Sequence, residues 1–186
     1  MFKKVQKIFD KVYSGNIFER IDGLEFLLNN CKGASILDVG CAEGLISYEF
    51  AKNGAKLIHG FEIDRRRVEF AKLLFQEVPI EHNFVAANIA VDFNKFQKQH
   101  SHFLLDKYDI VLYLGVYHHL IKQNSVEVVQ GFISAMLSRT INYFAVRTNK
   151  LLEFEYLILS NGFELVFEKP AAATVGQLKI YKRITE

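Results

Sequence analysis

Hydrophobic residues recur along this chain with two spacings, one typical of amphipathic helices and one typical of buried strands. Residues 5–12 and 17–28 follow the helical spacing and predict two N-terminal helices, the second ended by Lys32-Gly33. From residue 34 onward, short apolar runs predict seven strands: 35–39, 56–62, 82–87, 108–114, 141–146, 163–168 and 177–182. The chain therefore has a helical start and a strand-rich remainder.

Amphipathic segments lie between most of these strands. Helices are predicted over 44–52, after the N-cap residue Asp64, from Val129 to Leu137, and over 150–160, whereas 92–104 is ambiguous. Strand–helix alternation predicts a parallel sheet with helices on both faces. The last two strands are joined by a short connection, which makes them antiparallel neighbours. We predict an α/β three-layer sandwich in one domain over 1–186, with a seven-stranded, mostly parallel sheet whose last strand is antiparallel.

Composition narrows the class of protein. Of the 186 residues, 50% are hydrophobic and 24% are charged, as in globular chains, and the net charge of +2 is too small to indicate nucleic acid. Cys31 and Cys41 form neither a disulfide framework nor a zinc signature. The N-terminus does not resemble a signal peptide, and no apolar run reaches the roughly 18 residues that span a bilayer. We expect a cytoplasmic protein with no membrane partner.

The stretch ILDVGCAEG, residues 36–44, joins the first predicted strand to the next helix. Small residues occupy alternate positions of its loop: Gly40, Ala42 and Gly44. They let a ligand approach the backbone, and the helix that follows offers N–H groups suited to an anion. With the negative Asp38 beside them, a ligand carrying both an amine and a carboxylate fits better than a pyrophosphate. The dinucleotide fingerprint G-x-G-x-x-G fails, because Leu45 replaces its third glycine. An ordinary strand-to-helix turn with a buried Asp38 is the alternative.

A second acid stands at the end of the next predicted strand. Glu62 comes roughly 20 residues after Gly40, a spacing at which a carboxylate can accept both hydroxyls of a ribose. Glu62 alone could be an ordinary solvated acid at a strand end. Together with the small-residue turn before it, however, it indicates a ligand-binding site. Asp64 is interpreted as a helix cap.

These features, in this order, resemble the class I S-adenosylmethionine-dependent methyltransferases. Four segments carry the resemblance: ILDVGCAEG, GFEID, FVAANIAVDF and YDIVLYLGVYHHL. The closing segments NGFELVFEK and QLKIYKR resemble the final hairpin of that family, so the resemblance covers roughly residues 34–183. It implies a Rossmann-like core over 34–186 with a helical lid over 1–33. It also implies that S-adenosylmethionine is the methyl donor and S-adenosylhomocysteine the product.

The resemblance further implies which residues bind the cofactor. They are Asp38, Gly40, Ala42 and Gly44 around the methionine end, Glu62 at the ribose, Phe61, Ile63, Asn88 and the Ile89 N–H at the adenine, and Leu114 and Gly115 beside the sulfonium. Two positions depart from the family pattern. Ala42 replaces a glycine but is small, and Asn88 replaces an Asp but can still accept from the adenine amino group.

His118 and His119 follow the fourth predicted strand, which the resemblance places beside the transferred methyl group. A neutral histidine there suits general-base catalysis, and His119 is preferred slightly, although in the family a His here often only packs. Tyr117 is a candidate for lining the substrate pocket. Arg147, at the end of the fifth strand, pairs with an anionic substrate group or forms a surface salt bridge. Metal binding by the histidines lacks a third ligand at a recognisable spacing, so we expect no metal.

The leading hypothesis is therefore a methyltransferase that acts on a small molecule by in-line displacement. Modification of tRNA or another RNA is the runner-up, since four lysines could form a basic strip on the first helix: Lys3, Lys4, Lys7 and Lys11. A non-catalytic S-adenosylmethionine-binding module is a third hypothesis. The glycine pattern argues against a nicotinamide dehydrogenase, and nothing in the sequence identifies the acceptor atom.

Overall fold

Seven strands form the sheet at the centre of the fold. The computed structural model of the protein describes residues 20–88, 93–102, 104–148, 152–172 and 176–184. The strands are β1 (Ser35–Val39), β2 (Leu57–Glu62), β3 (Glu81–Ala86), β4 (Tyr108–Leu114), β5 (Thr140–Thr148), β6 (Phe163–Ala172) and β7 (Gly176–Arg183). The helices are α1 (Glu25–Leu28), α2 (Leu45–Lys52), α3 (Arg65–Phe75), α4 (Phe93–His100), α5 (Tyr117–Gln123), α6 (Val126–Arg139) and α7 (Leu152–Ser160).

The strands lie in the order β3-β2-β1-β4-β5-β7-β6. Strands β1 to β5 pair in parallel, and β7 lies antiparallel between β5 and β6. The predicted fold class is confirmed, including the antiparallel last strand. Strand order reverses between β1 and β4, and the carboxyl ends of parallel strands at such a point border a crevice that binds ligands.

Two buried apolar clusters pack on the two faces of the sheet. Helices α1, α2 and α3 cover one face, with Leu27, Phe50 and Val68 among the buried residues. Helices α4 to α7 cover the other face, with Phe132 and Phe154 among the buried residues. All five residues of β1 are buried, because helices cover both of its sides. This two-sided burial explains why the central strands have continuous apolar runs in the sequence.

The described part of the N-terminal region differs from the predicted continuous helix over 17–28. Residues 20 and 21 are helical, a turn follows, and α1 begins only at Glu25. Gly23, inside the turn, has a φ of 84°, a left-handed conformation that interrupts a right-handed helix. The first predicted helix, with its four lysines, lies outside the described residues, as does most of the predicted lid over 1–33.

Two other helices refine the prediction. Helix α4 settles the ambiguous region 92–104 as a helix over Phe93–His100. Helix α5 is absent from the predicted elements, because a seven-residue helix is too short to show a repeating apolar face. The cap at Asp64 is confirmed, since its side chain accepts a hydrogen bond from the Arg66 N–H at 2.8 Å. Among the helices of the described ranges, none is long and apolar enough to cross a membrane.

Gly60, in the middle of β2, allows Phe84 and Cys41, of the loop after β1, to pack closely against this strand. A Cβ atom there would lie 2.6 Å from Cδ1 of Phe84 and 2.9 Å from Sγ of Cys41. Phe84 is 1% exposed and Cys41 is 4% exposed, so neither side chain has room to move away. Gly60 is therefore required by packing.

Gly60→Ala should destabilise the protein by about 1–3 kcal/mol, because the added methyl group overpacks a dense core. Gly131, on α6, is the matched control, since a Cβ there would meet nothing within 4 Å. Gly131→Ala should stabilise the protein by up to about 1 kcal/mol through its higher helix propensity. Urea unfolding of both variants measures the difference, and a Gly60→Ala variant as stable as wild type would contradict the packing argument.

Candidate functional site

A cavity of about 560 Å³ lies at the carboxyl ends of β1, β2 and β4, at the point where strand order reverses. Its volume is within the range of about 300–1,000 Å³ that is typical of small-molecule sites. The lining residues are Arg20, Gly40, Ala42, Phe61, Glu62, Ile63, Asp64, Arg67, Ala87, Asn88, Leu114, Gly115, Val116, His119, Leu120 and Gln123. The cavity therefore lies where the sheet topology predicts a ligand.

The loop between β1 and α2 owes its shape to three alternate residues with left-handed backbone. Gly40, Ala42 and Gly44 have φ values of 76°, 48° and 74°. This conformation costs glycine little and other residues more, which explains the small residues at alternate positions. Gly40 also lies against the residue that precedes α5, since a Cβ there would be 2.4 Å from Cγ2 of Val116. Gly40 and Ala42 line the cavity, whereas Gly44 lies outside the lining, as the N-cap of α2.

Glu62 connects this loop to the end of β2. Its Oε2 accepts a hydrogen bond from the Ala42 N–H at 3.1 Å, and its Oε1 accepts one from the Asp64 N–H at 3.0 Å. The residue is only 9% exposed, yet it lines the cavity. Because each carboxylate oxygen can accept two hydrogen bonds, Glu62 retains the capacity to accept ligand hydroxyls.

Asp38 lies beneath the loop and not among the residues that line the cavity. Its Oδ2 accepts a hydrogen bond from Oγ of Ser47, on α2, at 2.6 Å, and the residue is 3% exposed. Burial raises the pKa of Asp38 to about 6; the hydrogen bond from Ser47 opposes this rise, and the negative charge of Glu62 adds to it. This position corresponds to the alternative in which Asp38 is a buried acid of a strand-to-helix turn.

The region predicted to hold adenine lies at the β2 and β3 end of the cavity. Ile63 and Asn88 line this end, together with Phe61 and Ala87. Ile63 is 61% exposed, which is unusual for an isoleucine and leaves its side chain available to a planar ligand. Ile89, the remaining predicted contact to the adenine, lies outside the described residues.

Helix α5 forms the opposite end of the cavity, next to Leu114 and Gly115. Its lining residues, with the residue that precedes it, are Val116, His119, Leu120 and Gln123. They recur at intervals of three or four and so share one helix face. Sequence reasoning missed three of them because it treated this segment as a loop. Recognition of the helix would have been sufficient to find them.

Two other residues of this helix, His118 and Tyr117, were predicted at the site but do not line the cavity. His118 is largely exposed and lies outside the lining; its partial burial, together with the nearby His119 and Lys122, lowers its pKa. Tyr117 is 4% exposed and packs against Phe154 in the core, with ring centroids 4.4 Å apart. Of the three predicted residues on this helix, only His119 lines the cavity.

Arg147, predicted to contact the substrate, lies behind the cavity wall. It is 5% exposed, and its guanidinium donates hydrogen bonds to the backbone oxygens of Arg20 at 2.6 Å and Asp22 at 3.0 Å. Neither a substrate contact nor a surface salt bridge describes this position. Arg20 lines the cavity instead, although no sequence pattern indicated it.

No three histidine, cysteine, aspartate or glutamate side chains in the described ranges are grouped closely enough to hold a metal ion. Both cysteines are free and buried. The residues that line the cavity include carboxylate, guanidinium, imidazole and amide side chains.

Residues 30–173 match the model of a family described as a methyltransferase domain. The match covers most of the chain, and the protein belongs to this family of enzymes, which are class I S-adenosylmethionine-dependent methyltransferases with a Rossmann-like fold. S-adenosylmethionine is accordingly its cofactor. Glu62, at the end of β2, and the left-handed loop after β1 fit this group, because the cavity offers a carboxylate for hydroxyls beside a closely approachable backbone.

Two relatives are similar over about two thirds of this chain. A ribosomal protein L11 methyltransferase of Dictyoglomus thermophilum is 29% identical over 132 residues, which are 66% of this chain and 40% of the relative. The O-antigen chain terminator bifunctional methyltransferase/kinase WbdD of Escherichia coli is 24% identical over 126 residues, 67% of this chain and 16% of the relative. The matched region spans less than half the length of either relative.

Solved structures share the fold. Magnesium protoporphyrin IX methyltransferase (ChlM) from Synechocystis PCC 6803, with bound S-adenosylmethionine, has a TM-score of 0.68 at 22% identity, over 89% of this chain and 78% of that chain. The N-methyltransferase NodS from Bradyrhizobium japonicum WM9, with S-adenosyl-L-homocysteine, has a TM-score of 0.68 at 15% identity, over 91% and 89% of the two chains. At these identities the similarity concerns the fold.

Asp38→Asn should reveal the buried carboxylate through the pH dependence of folding. Because the pKa of Asp38 is about 6 in the folded protein and that of an unfolded Asp is about 3.9, the folded state binds more protons between these values. Asp38 therefore lowers stability as pH rises from about 4 to about 6, and the loss persists at neutral pH. We expect the stability of the Asn variant, relative to wild type, to increase by about 1–3 kcal/mol between pH 4 and pH 7.

Urea unfolding at several pH values measures this difference. The control is Asp106→Asn, at an exposed position, which should give a difference from wild type that changes little with pH. A pH-independent difference for Asp38→Asn would contradict the elevated pKa.

Proposed function

We propose that this methyltransferase acts on a small-molecule acceptor, that Glu62 binds the ribose of the cofactor, and that His119 is the general base. One observation carries the proposal: Glu62 and His119 line a single cavity, with the backbone of Gly40 and Gly115 also in its lining. A ligand that extends from β2 to α5 meets a hydroxyl acceptor at one end and a proton acceptor at the other.

The residues of the cavity suit successive parts of S-adenosylmethionine. Ile63 and Asn88 suit the adenine, through an apolar surface and an amide that can pair with the amino group. The left-handed loop at Gly40 and Ala42 permits close approach of the chain between ribose and methionine. In this proposal Asp38 supports the loop from beneath through Ser47 and does not contact the amine directly.

The cofactor supplies a methyl group already activated by its positive sulfur. The protein must hold an acceptor atom in line with that methyl group, and such positioning can account for about 7–11 kcal/mol of the barrier. An acceptor that carries a proton must lose it, and the neutral imidazole of His119 can accept it. His119 is preferred over His118 because His119 is among the residues that line the cavity and His118 is not.

The α5 end of the cavity supports a small acceptor. Val116 and Leu120 provide apolar surface there, and His119 and Gln123 provide hydrogen-bonding groups. A few polar groups in an apolar wall are typical of small-molecule sites.

The name of the Dictyoglomus thermophilum relative makes a protein acceptor a second candidate. A cofactor-consumption screen against metabolite extract, ribosomal protein and total tRNA distinguishes a small-molecule acceptor from a protein or RNA acceptor. Turnover with a macromolecule alone would overturn the small-molecule proposal.

Glu62→Ala should weaken S-adenosylhomocysteine binding by about tenfold to a hundredfold, because a charged group that accepts ligand hydroxyls is removed. The measurement is calorimetric titration of the ligand into the purified protein. The matched control is Glu69→Ala on α3, whose exposed carboxylate forms an ion pair with Lys72 at 3.1 Å and lies outside the cavity lining. Equal affinity in wild type and Glu62→Ala would refute the ribose assignment.

His119→Ala should lower kcat by about 10²–10⁴-fold on the acceptor identified by the screen, because the general base is lost. S-adenosylhomocysteine affinity should stay within about twofold of wild type, since the side chain is assigned to the acceptor and not to the cofactor. Added imidazole should restore part of the rate. The His118→Ala variant tests the other histidine, and a larger loss of kcat there than in His119→Ala would reverse the assignment.

A further inference from the structure

Gly40 and Gly115 both line the cavity, but they differ in what surrounds them. A Cβ at Gly40 would lie 2.4 Å from Cγ2 of Val116. A Cβ at Gly115 would have no heavy atom of the described residues within 4 Å, its two chain neighbours aside. Carbon atoms in ordinary contact lie about 3.5–4.0 Å apart. A methyl group at Gly115 would therefore touch none of these atoms, and the space beside this residue is wider than one methyl group.

Gly115 lies where the two loops that form the site are in contact. It follows β4 directly, and the next residue, Val116, packs against Gly40 in the loop after β1. The loop after β1 borders the part of the cavity assigned to the cofactor, and α5 borders the part assigned to the acceptor. The open space beside Gly115 is therefore next to the junction of these two parts, where the methyl group is transferred.

The surface that Gly115 offers in this direction is apolar. Its N–H donates to the backbone oxygen of Arg147 at 3.0 Å, so this donor is already used. A hydrogen on Cα stands where another residue would have a side chain. Val116 and Leu120, which also line the cavity, are apolar residues. This part of the cavity therefore suits a carbon group better than a charged group, which would lose hydration here.

The backbone conformation gives a second reason for a glycine at this position. Gly115 has a φ of 74°, and only Gly115 and Val116 connect β4 to α5. Asparagine adopts such a left-handed conformation more readily than alanine does. The two reasons therefore rank substitutions differently. A need for the conformation favours asparagine over alanine, whereas a need for open space favours the smaller alanine over asparagine.

We propose that Gly115 is a specificity-determining residue, which by having no side chain leaves space for an apolar group larger than methyl on the acceptor. A ring or a branched carbon skeleton next to the acceptor atom is such a group. The acceptor atom must lie in line with the methyl group and the sulfur during transfer, and the carbon skeleton attached to it then occupies the space beside Gly115. This inference rests on the proposed function of the cavity.

Two cofactor analogues test this space by calorimetry without a known acceptor. S-adenosyl-L-ethionine carries an ethyl group in place of methyl, and its extra carbon extends from the sulfur toward the acceptor, whereas S-adenosylhomocysteine has no such group. Wild type should bind both. Gly115→Asn should weaken S-adenosyl-L-ethionine binding at least about tenfold more than S-adenosylhomocysteine binding, because its side chain fills the space. For Gly115→Ala this difference should be less than about threefold.

Thermal unfolding should rank the same two variants in the opposite order. Gly115→Ala should unfold at a lower temperature than Gly115→Asn, because alanine is the more strained residue in left-handed backbone. A role in the turn alone would make the binding of both analogues follow this order of stability. The KM for the acceptor identified by the screen should instead rise more in Gly115→Asn than in Gly115→Ala.

Gly162, between α7 and β6, is the matched control. It has a φ of 79°, and a Cβ there would likewise have no heavy atom of the described part of the chain within 4 Å. It lies outside the cavity lining. Gly162→Ala and Gly162→Asn should therefore show the same order of stability as the Gly115 variants, with wild-type affinity for both analogues.

Three results would overturn the proposal. Wild type could bind S-adenosylhomocysteine but not S-adenosyl-L-ethionine, which would mean that the space is not next to the sulfur. Gly115→Asn could weaken the binding of both analogues equally or of neither. The loss of S-adenosyl-L-ethionine affinity could be larger in Gly115→Ala than in Gly115→Asn. Failure of wild type to bind S-adenosylhomocysteine would instead overturn the proposed function, so the two failures are distinguishable.

Discussion

The end of β2 determines the shape of the loop on which the cavity depends. The backbone oxygen of Phe61 accepts from the N–H groups of Gly40 and Cys41, both at 2.8 Å, and the carboxylate of Glu62 accepts from the N–H of Ala42. Ala42 is the one non-glycine residue in the described ranges with a positive φ, a conformation that costs about 1–2 kcal/mol. A charge-assisted hydrogen bond to its N–H offsets that cost. The residue assigned to the ribose therefore also holds the backbone beside it.

Most of the fold could be predicted from the sequence, because its strands and long helices are marked by local periodicity. Strands β1 and β4 have continuous apolar runs since both of their faces are covered, and their order along the chain is sufficient to predict a parallel sheet. Helix α5 could not be found this way. It spans only seven residues, which is too short for a repeating apolar face to be recognised in the sequence.

The sequence was sufficient to predict which loops form the candidate site. It was not always sufficient to predict whether a side chain in those loops points into the site. Asp38 stands at the end of β1, where a ligand contact is expected, but alternation places it on the same face as Ile36, beneath α2. Arg147 also stands at a strand end, yet its direction depends on Arg20, more than a hundred residues away in the chain. Long-range contacts of this kind have no signature in a single sequence.

The position of β7 has a consequence for how the protein is made. It pairs with β5 and β6 on its two sides, although both precede it in the chain. During synthesis, one edge of β5 therefore stays without its native partner until β7 has been made, a delay of about 2–7 s at about 5–20 residues per second. Over that interval β6 has no place in the sheet, and the exposed edge of β5 can pair with another chain. The nascent chain is thus open to misassociation between the synthesis of β5 and that of β7, when the strands that border the cavity have already been made.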